Sequence, residues 1–221
     1  QCLNPQRGKI KTPNLDRLAS QGMTFTDSHS GSSVCTPTRY GVLTGRYAWR
    51  SRLQASVLDG YVEPLIADVR LTAPAMLKQN GYHTAAIGKW HLGFTIEGAD
   101  KTGGSNKRKD KGDGKLMGAP VGAVTHDGPI TRGFDNFFGF HHARMMKSVF
   151  ENDRVTQLIA PVDMLPALVR RSSDHIAARA KAGQPFFLYL ALNSPHTPIV
   201  PGKEWQGKSG LNAYADFVMQ T

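Results

Sequence analysis

The feature that most constrains the fold is a continuous apolar run, FFLYLAL, at residues 186–192. Pro185 bounds the run on one side, and Asn193, Ser194 and Pro195 bound it on the other. A strand that is apolar at every position, without polar alternation, is typical of a parallel sheet that is covered on both faces. We therefore expect this run to be a central parallel strand.

Helix-like and strand-like segments alternate along the rest of the chain, which predicts an α/β fold with a mostly parallel open sheet and helices on both faces. Thr-Pro pairs are typical of a helix N-cap followed by the first helical residue. They occur at Thr12-Pro13 and Thr36-Pro37. The remaining predicted elements are a short strand at Met23–Thr26, a helix at Thr72–Lys78, a strand at His83–Ile87 and a helix at Asp163–Lys181. The pattern stops inside elements at both ends, so we expect a sheet that is incomplete at both ends.

The charge balance leaves two interpretations open. The chain has 27 Lys and Arg against 17 Asp and Glu, a net charge of +10. Much of the excess lies at 101–115, inside a long loop at about 97–132 that is rich in Gly, Lys and Asp. Such a surface either attracts polyanions or is a solvated basic face. No apolar run approaches the roughly 20 residues of a membrane span, and we expect no nucleic-acid partner.

The two cysteines, Cys2 and Cys35, are too few for a disulfide framework. Cys35 lies at the start of the helix that Thr36-Pro37 predicts, where free N–H groups and the helix dipole favour an anion. Arg39, one turn inside, can direct its guanidinium to the same place. Cysteine phosphatases need a wider spacing between cysteine and arginine than the three residues found here. A structural buried cysteine is the remaining alternative.

CTPTR, followed by YGVLTGR, resembles the signature of the type I sulfatases, Cys-x-Pro-x-Arg with a downstream Leu-Thr-Gly-Arg. GYHTAAIGKWHLG (81–93) resembles the second signature of that family, and GFDNFFGF and FFLYLALNSPHTP resemble later segments. The resemblance extends from about residue 12 to residue 217. It implies the fold of the alkaline-phosphatase superfamily, with residues 1–221 as part of the N-terminal catalytic domain and the C-terminal part absent.

The resemblance also assigns roles to five residues. It implies that a maturation enzyme oxidises Cys35 to Cα-formylglycine, whose hydrated form attacks the sulfur of a sulfate ester. Arg39 would stabilise the formylglycine, and Lys89 would bind the sulfate. His91 and His196 match the two active-site histidines of the family, and we expect His196 to protonate the leaving alcohol.

Further substrate contacts are predicted outside these signatures. His126 and Asp127, in the THDGP segment of the long loop, are the first candidates. Trp49, Arg50 and Arg52 follow the predicted helix of Cys35, where they either line a sugar pocket or simply pack.

The resemblance further implies a calcium ion held by the formylglycine at position 35. Its other ligands are expected outside this chain, before Gln1 and beyond Thr221, because hard cations need several oxygen ligands. We therefore expect residues 1–221 alone to be inactive, with an exposed sheet edge. The predicted substrate is a sulfated small molecule or glycan, and the family suggests a periplasmic or secreted protein. The alternatives are a phosphate or phosphonate ester hydrolase of the same superfamily, and a non-enzymatic polyanion-binding protein.

Overall fold

The computed structural model describes residues 8–97 and 118–221. The described chain forms two compact units. The larger unit comprises residues 31–193, and the smaller unit combines the segment up to residue 30 with residues 194–221. Most of the predicted long loop, at 98–117, lies outside the described residues, and its last part contains a 3₁₀ turn at Pro129–Arg132.

The helices are α1 Pro13–Gln21, α2 Cys35–Thr44, α3 Ala73–Gln79, α4 Pro161–Ala182 and α5 Ala213–Gln220. The strands are β1 His83–Lys89, β2 Asn136–Phe140, β3 Ser148–Glu151, β4 Arg154–Leu158 and β5 Phe186–Ala191. In the described residues, 8–97 and 118–221, no helix is both long enough and apolar enough to cross a membrane.

The five strands form one mixed sheet in the order β4-β3-β2-β1-β5. β1 pairs in parallel with β2 and with β5, whereas the β2–β3 and β3–β4 pairs are antiparallel. The link between β3 and β4 is only Asn152 and Asp153, with Asn152 at φ 58°. Such a short link joins only antiparallel neighbours, so the predicted parallel core carries an antiparallel hairpin.

The predicted central position of the apolar run is wrong within the described sheet. β5 is parallel, as expected, but it pairs only with β1 and forms the edge of the five described strands. Most of its residues are half-buried instead of buried. β1 is an interior strand with a parallel neighbour on each side, and it is buried at every residue after His83.

Helices cover both faces of the sheet, as predicted. Successive residues of a strand point to opposite faces. Ala86 of β1 therefore lies in one apolar cluster with Tyr40 and Leu43 of α2. Ile87 lies in a second cluster, together with residues of α4 such as Met164.

The predicted starts of α3 and α1 were confirmed to within one residue. The Thr72 side chain caps α3 by accepting a hydrogen bond from the Ala75 N–H. α1 begins at Pro13, as the Thr12-Pro13 pair predicted. The short strand predicted at Met23–Thr26 is wrong, because that segment pairs with no described strand.

Candidate active site

Cys35 is the first residue of α2 and is half-buried, with Val34 in extended conformation before it. The prediction that Thr36 would be the N-cap and Pro37 the first helical residue is therefore wrong by two positions. No side-chain hydrogen bond caps this helix. Its first turn is held from outside, through the Thr36 hydroxyl.

The Thr36 hydroxyl joins α2 to the segment that follows β1. Its Oγ1 donates to the His91 carbonyl at 3.0 Å and accepts from the Leu58 N–H at 3.3 Å. Thr36 is fully buried, so these two hydrogen bonds satisfy groups that water cannot reach. This contact fixes Cys35 beside the carboxyl end of β1.

Lys89 is the last residue of β1, and its ammonium group lies close enough to the Cys35 thiol to interact with it electrostatically. Only 3% of Lys89 is exposed. Burial is the main cause that lowers the pKa of Lys89, the Cys35 thiol acts in the opposite direction, and the charge of Arg39 lowers the pKa further. A poorly solvated ammonium group of this kind interacts strongly with an incoming anion.

Arg39 is also directed at the end of β1. Its guanidinium donates to the Lys89 carbonyl at 2.6 Å and to the Tyr189 hydroxyl of β5 at 3.3 Å. Its buried Nε has no hydrogen-bond partner among the described residues. Two cationic side chains therefore converge near the half-buried Cys35.

His91 is fully buried in a left-handed conformation, with φ 55°. Its Nε2 lies 2.8 Å from the Leu58 carbonyl, and this contact requires the proton on Nε2. Burial first, and then the charge of Lys89, lower its pKa to about 2, so the ring is neutral near pH 7. Nδ1 is then a bare acceptor, and it has no partner among the described residues.

The sequence assigned no role to His141 and His142, yet both pack against His91. The His91 and His142 ring centroids are 4.4 Å apart, and those of His91 and His141 are 5.9 Å apart. Burial lowers the pKa of His141 to about 3. Both residues directly follow β2, and the carboxyl ends of adjacent parallel strands meet at one edge of a sheet. The expectation that His91 and the residues after β2 lie at one edge of the sheet could therefore have identified His141 and His142.

The described residues around Cys35 do not by themselves make a calcium site. In the part of the chain that the structure describes, no group of three or more His, Cys, Asp or Glu side chains is placed to hold a metal ion. The described side chains that converge on Cys35, Lys89 and Arg39, are cationic, whereas calcium takes oxygen ligands. The metal role predicted for position 35 stays a prediction.

His126 and Asp127 occupy the end of the long loop and differ in exposure. His126 is exposed, with Nε2 3.5 Å from a Glu97 carboxylate oxygen. The Asp127 carboxylate accepts hydrogen bonds from the Thr95 N–H, the Thr95 hydroxyl and the Thr125 hydroxyl. Asp127 therefore closes the loop, whereas His126 is free to contact solvent.

Trp49, Arg50 and Arg52 lie on an exposed segment after α2. The Arg50 guanidinium lies 5.8 Å from the Trp49 ring centre, and Arg52 donates to the Glu63 carbonyl. Trp49 also lines an open pocket of about 170 Å³, together with Val34, which precedes α2, and with Leu53, which follows it. This arrangement is compatible with either role considered from the sequence.

His196 belongs to the smaller unit, between the cis peptide bonds Ser194–Pro195 and Thr197–Pro198. It is exposed, and its Nδ1 lies 2.8 Å from the Thr197 carbonyl. The larger unit thus brings together Cys35, Arg39, Lys89 and His91, which we call the Cys35 site. The contribution of His196 stays a prediction.

Comparison with known proteins identifies the family. The family model described as Sulfatase matches residues 4–221. The chain therefore belongs to the sulfatase family, as the signature around Cys35 predicted.

Individual relatives agree with this assignment. The chain is 28% identical to an N-acetylgalactosamine-6-O-sulfatase of Bacteroides thetaiotaomicron, over 96% of this chain and 48% of that protein. It is 32% identical to arylsulfatase A of Bos taurus, over 95% of this chain and 41% of that protein. A solved structure from the glycosaminoglycan metabolism of Bacteroides thetaiotaomicron has the same fold, with a TM-score of 0.76 at 24% identity, covering 96% of this chain and 52% of that one. The chain spans about half the length of the curated relatives that it matches.

Proposed function

We propose that the protein carrying this chain is a sulfatase that hydrolyses sulfate esters of carbohydrates, with position 35 as the nucleophile. The observation that carries the proposal is the half-buried Cys35 at the first turn of a helix, close to the buried ammonium group of Lys89. The sulfatase family model and the carbohydrate-sulfatase relative support the reaction and the substrate class.

The surroundings of Cys35 would support a formylglycine at this position as the nucleophile. Once oxidised, position 35 would supply an aldehyde hydrate whose hydroxyl attacks the sulfur of the ester. Lys89 and Arg39 would hold the sulfate oxygens and stabilise the charge that develops on them in the transition state. The burial of Lys89 strengthens this effect, because little water competes for its charge.

His91 would act through its bare Nδ1. Its low pKa makes His91 a weak base, so we assign it the role of a hydrogen-bond acceptor that orients a hydroxyl group. We retain His196 as the proposed proton donor to the leaving alcohol and His126 as a proposed contact to the substrate. No step is assigned to calcium, because the described residues do not fit its ligand requirements.

The maturation enzyme and the cellular location belong to the same proposal. A formylglycine-forming enzyme, or an equivalent one, would modify Cys35. A periplasmic or secreted location is proposed from the family, whose signatures the chain carries.

The test uses the full-length protein, produced together with a formylglycine-forming enzyme. The peptide that contains Cys35 is expected to have the mass of the aldehyde in place of the thiol. The protein is expected to release sulfate from N-acetylgalactosamine 6-sulfate or from nitrophenyl sulfate. Cys35→Ala should abolish turnover and leave folding intact.

Two results would contradict the proposal. Faster hydrolysis of nitrophenyl phosphate than of nitrophenyl sulfate would favour the phosphate or phosphonate esterase. An unmodified Cys35, together with salt-sensitive polyanion binding that survives Cys35→Ala, would favour a non-enzymatic binding protein.

A further inference from the structure

Two charged side chains reach solvent beside the buried histidines of the Cys35 site. Asp59 directly follows Leu58, whose carbonyl accepts a hydrogen bond from His91. The Arg144 N–H donates to Nδ1 of His142, whose ring packs against His91. We call Asp59 and Arg144 the rim pair.

The rim pair closes a ring of contacts around His91. The Arg144 guanidinium lies 4.0 Å from the Asp59 carboxylate, and the side chains are 64% and 53% exposed. Asp59 is anchored through the preceding residue, Leu58, and Arg144 through its own N–H to His142. Leu58 and His142 both touch His91, whereas the charges of Asp59 and Arg144 face water. The pair therefore lies at the surface beside His91, one member of the Cys35 site.

The ion pair of the rim is weak. Charge-assisted hydrogen bonds between guanidinium and carboxylate groups are formed at about 2.8 Å, so the separation of 4.0 Å leaves this one unformed. Exposed ion pairs contribute only about 0–1 kcal/mol. Arg144 can therefore exchange Asp59 for another anion at little cost.

We propose that Arg144 is a specificity-determining residue, which binds a second anionic substituent of the sugar whose sulfate ester lies at the Cys35 site. This inference rests on the proposed function. The planar guanidinium matches either a second sulfate or a uronate carboxylate. Asp59 opposes the anion and limits its affinity, because the two negative charges compete for the same guanidinium.

The experiment compares Arg144→Gln with the full-length matured protein on three substrates. They are N-acetylgalactosamine 6-sulfate, the same sugar with a second sulfate, and the same sugar linked to a uronic acid. For the substrate whose second anionic group Arg144 binds, Arg144→Gln is expected to lower kcat/KM about tenfold or more, chiefly by raising KM. On the singly charged sugar it should change less than about twofold. Arg170→Gln, which removes an equal charge from an exposed position of α4, is the matched control and should change neither rate.

Asp59→Asn provides the opposite change. It should lower KM for the doubly charged substrate, and added salt should reduce this gain, because the interaction is exposed. Equal effects of Arg144→Gln on all three substrates, or no effect on any of them, would overturn the inference while leaving the sulfatase activity in place.

Binding distinguishes the failure of this inference from the failure of the proposed function. In a Cys35→Ala background, calorimetry with the same three sugars measures affinity without turnover. A preference for a doubly charged sugar that Arg144→Gln removes supports the role of Arg144, even if the wild-type protein hydrolyses none of the sugars. A preference that Arg144→Gln leaves unchanged rejects it.

Discussion

At the scale of single residues, Thr36 shows how tertiary contacts override a local signal. The Thr36-Pro37 pair is typical of a helix N-cap, but the hydroxyl instead joins the His91 carbonyl to the Leu58 N–H. The helix consequently begins at Cys35, and the cysteine is part of its first turn. The sequence predicted the helix and its reactive residue, but not the contact that positions them, because both partners of Thr36 are distant in sequence.

Thr36→Val tests this contact. The substitution conserves shape but leaves a buried carbonyl and a buried N–H unsatisfied, so the free energy of unfolding should fall by about 2 kcal/mol. Chemical denaturation of the wild-type and variant proteins measures the change. Thr36→Ser, which keeps the hydroxyl, should recover most of the loss. Equal destabilisation by both variants would show that the methyl group, and not the hydroxyl, matters.

Lys89→Met separates the roles of charge and packing at the Cys35 site. The proposed function predicts a loss of at least about 100-fold in kcat/KM for nitrophenyl sulfate, because a charge aimed at the transition state disappears. Stability should be maintained, since methionine avoids the cost of burying an ammonium group. Lys181→Met, on an exposed position of α4, serves as the control. Activity near the wild-type level in Lys89→Met would exclude a role in sulfate binding.

At the scale of elements, two glycines set the spacing of the parallel strands at the site. A Cβ on Gly88 of β1 would lie 2.0 Å from the Ala191 carbonyl of β5, and Gly88 has φ 114°. A Cβ on Gly139 of β2 would lie 1.9 Å from the Gly88 carbonyl. Neither position accepts a side chain without separating the strands. Lys89 directly follows Gly88, so its position depends on this close approach of the strands.

Gly88→Ala should therefore destabilise the protein strongly. The clash with backbone and the unfavourable φ together predict a loss of about 3 kcal/mol or more in unfolding free energy. Gly41→Ala, inside α2, is the matched control, because the nearest atom to its Cβ is the Arg46 carbonyl oxygen at 3.6 Å, an ordinary contact. That variant should gain up to about 1 kcal/mol from helix propensity. Thermal unfolding of both variants measures the contrast, and an equal response would reject the strand-spacing argument.

At the scale of the whole molecule, the buried and neutral histidines His91 and His141 make the stability of the fold depend on pH. Burial lowers the pKa of His141 from its ordinary value of 6.5 to about 3, and that of His91 to about 2. Below pH 6.5 the unfolded chain binds protons at these positions and the folded chain does not, so acid favours unfolding. The free energy of unfolding is therefore highest above pH 6.5. It falls progressively as the pH drops from 6.5 towards the pKa values of these histidines in the folded protein.

Stability should consequently fall by about 2 kcal/mol for each of these histidines between pH 6.5 and pH 5. Urea denaturation at a series of pH values measures the slope. His141→Phe should make the slope shallower, because it removes a group that binds a proton on unfolding. The substitution breaks no hydrogen bond, since both ring nitrogens of His141 lack partners among the described residues. His29→Asn, which removes an exposed histidine, is the control. An unchanged slope in His141→Phe would contradict the assignment.

The sequence predicted the class of the fold, the family and the four members of the Cys35 site, because each is encoded in local patterns or in a signature. It did not predict the edge position of β5 among the described strands, since an apolar run records burial but not the number of its neighbours. His141, His142 and Arg144 were missed for a related reason. Their place beside His91 arises from the pairing of β1 with β2, and no short motif records that pairing.

The first turn of α2 has a consequence for the order of events during synthesis. The helix encloses Cys35, Thr36 and Pro37, and the Thr36 hydroxyl is buried against distant residues. An enzyme that reads these residues as a peptide must bind them before the helix forms. Under the proposed maturation of Cys35, folding and oxidation would therefore compete in time for the same few residues. A chain that folded first would keep its thiol, and the yield of matured protein would depend on the relative rates of the two processes.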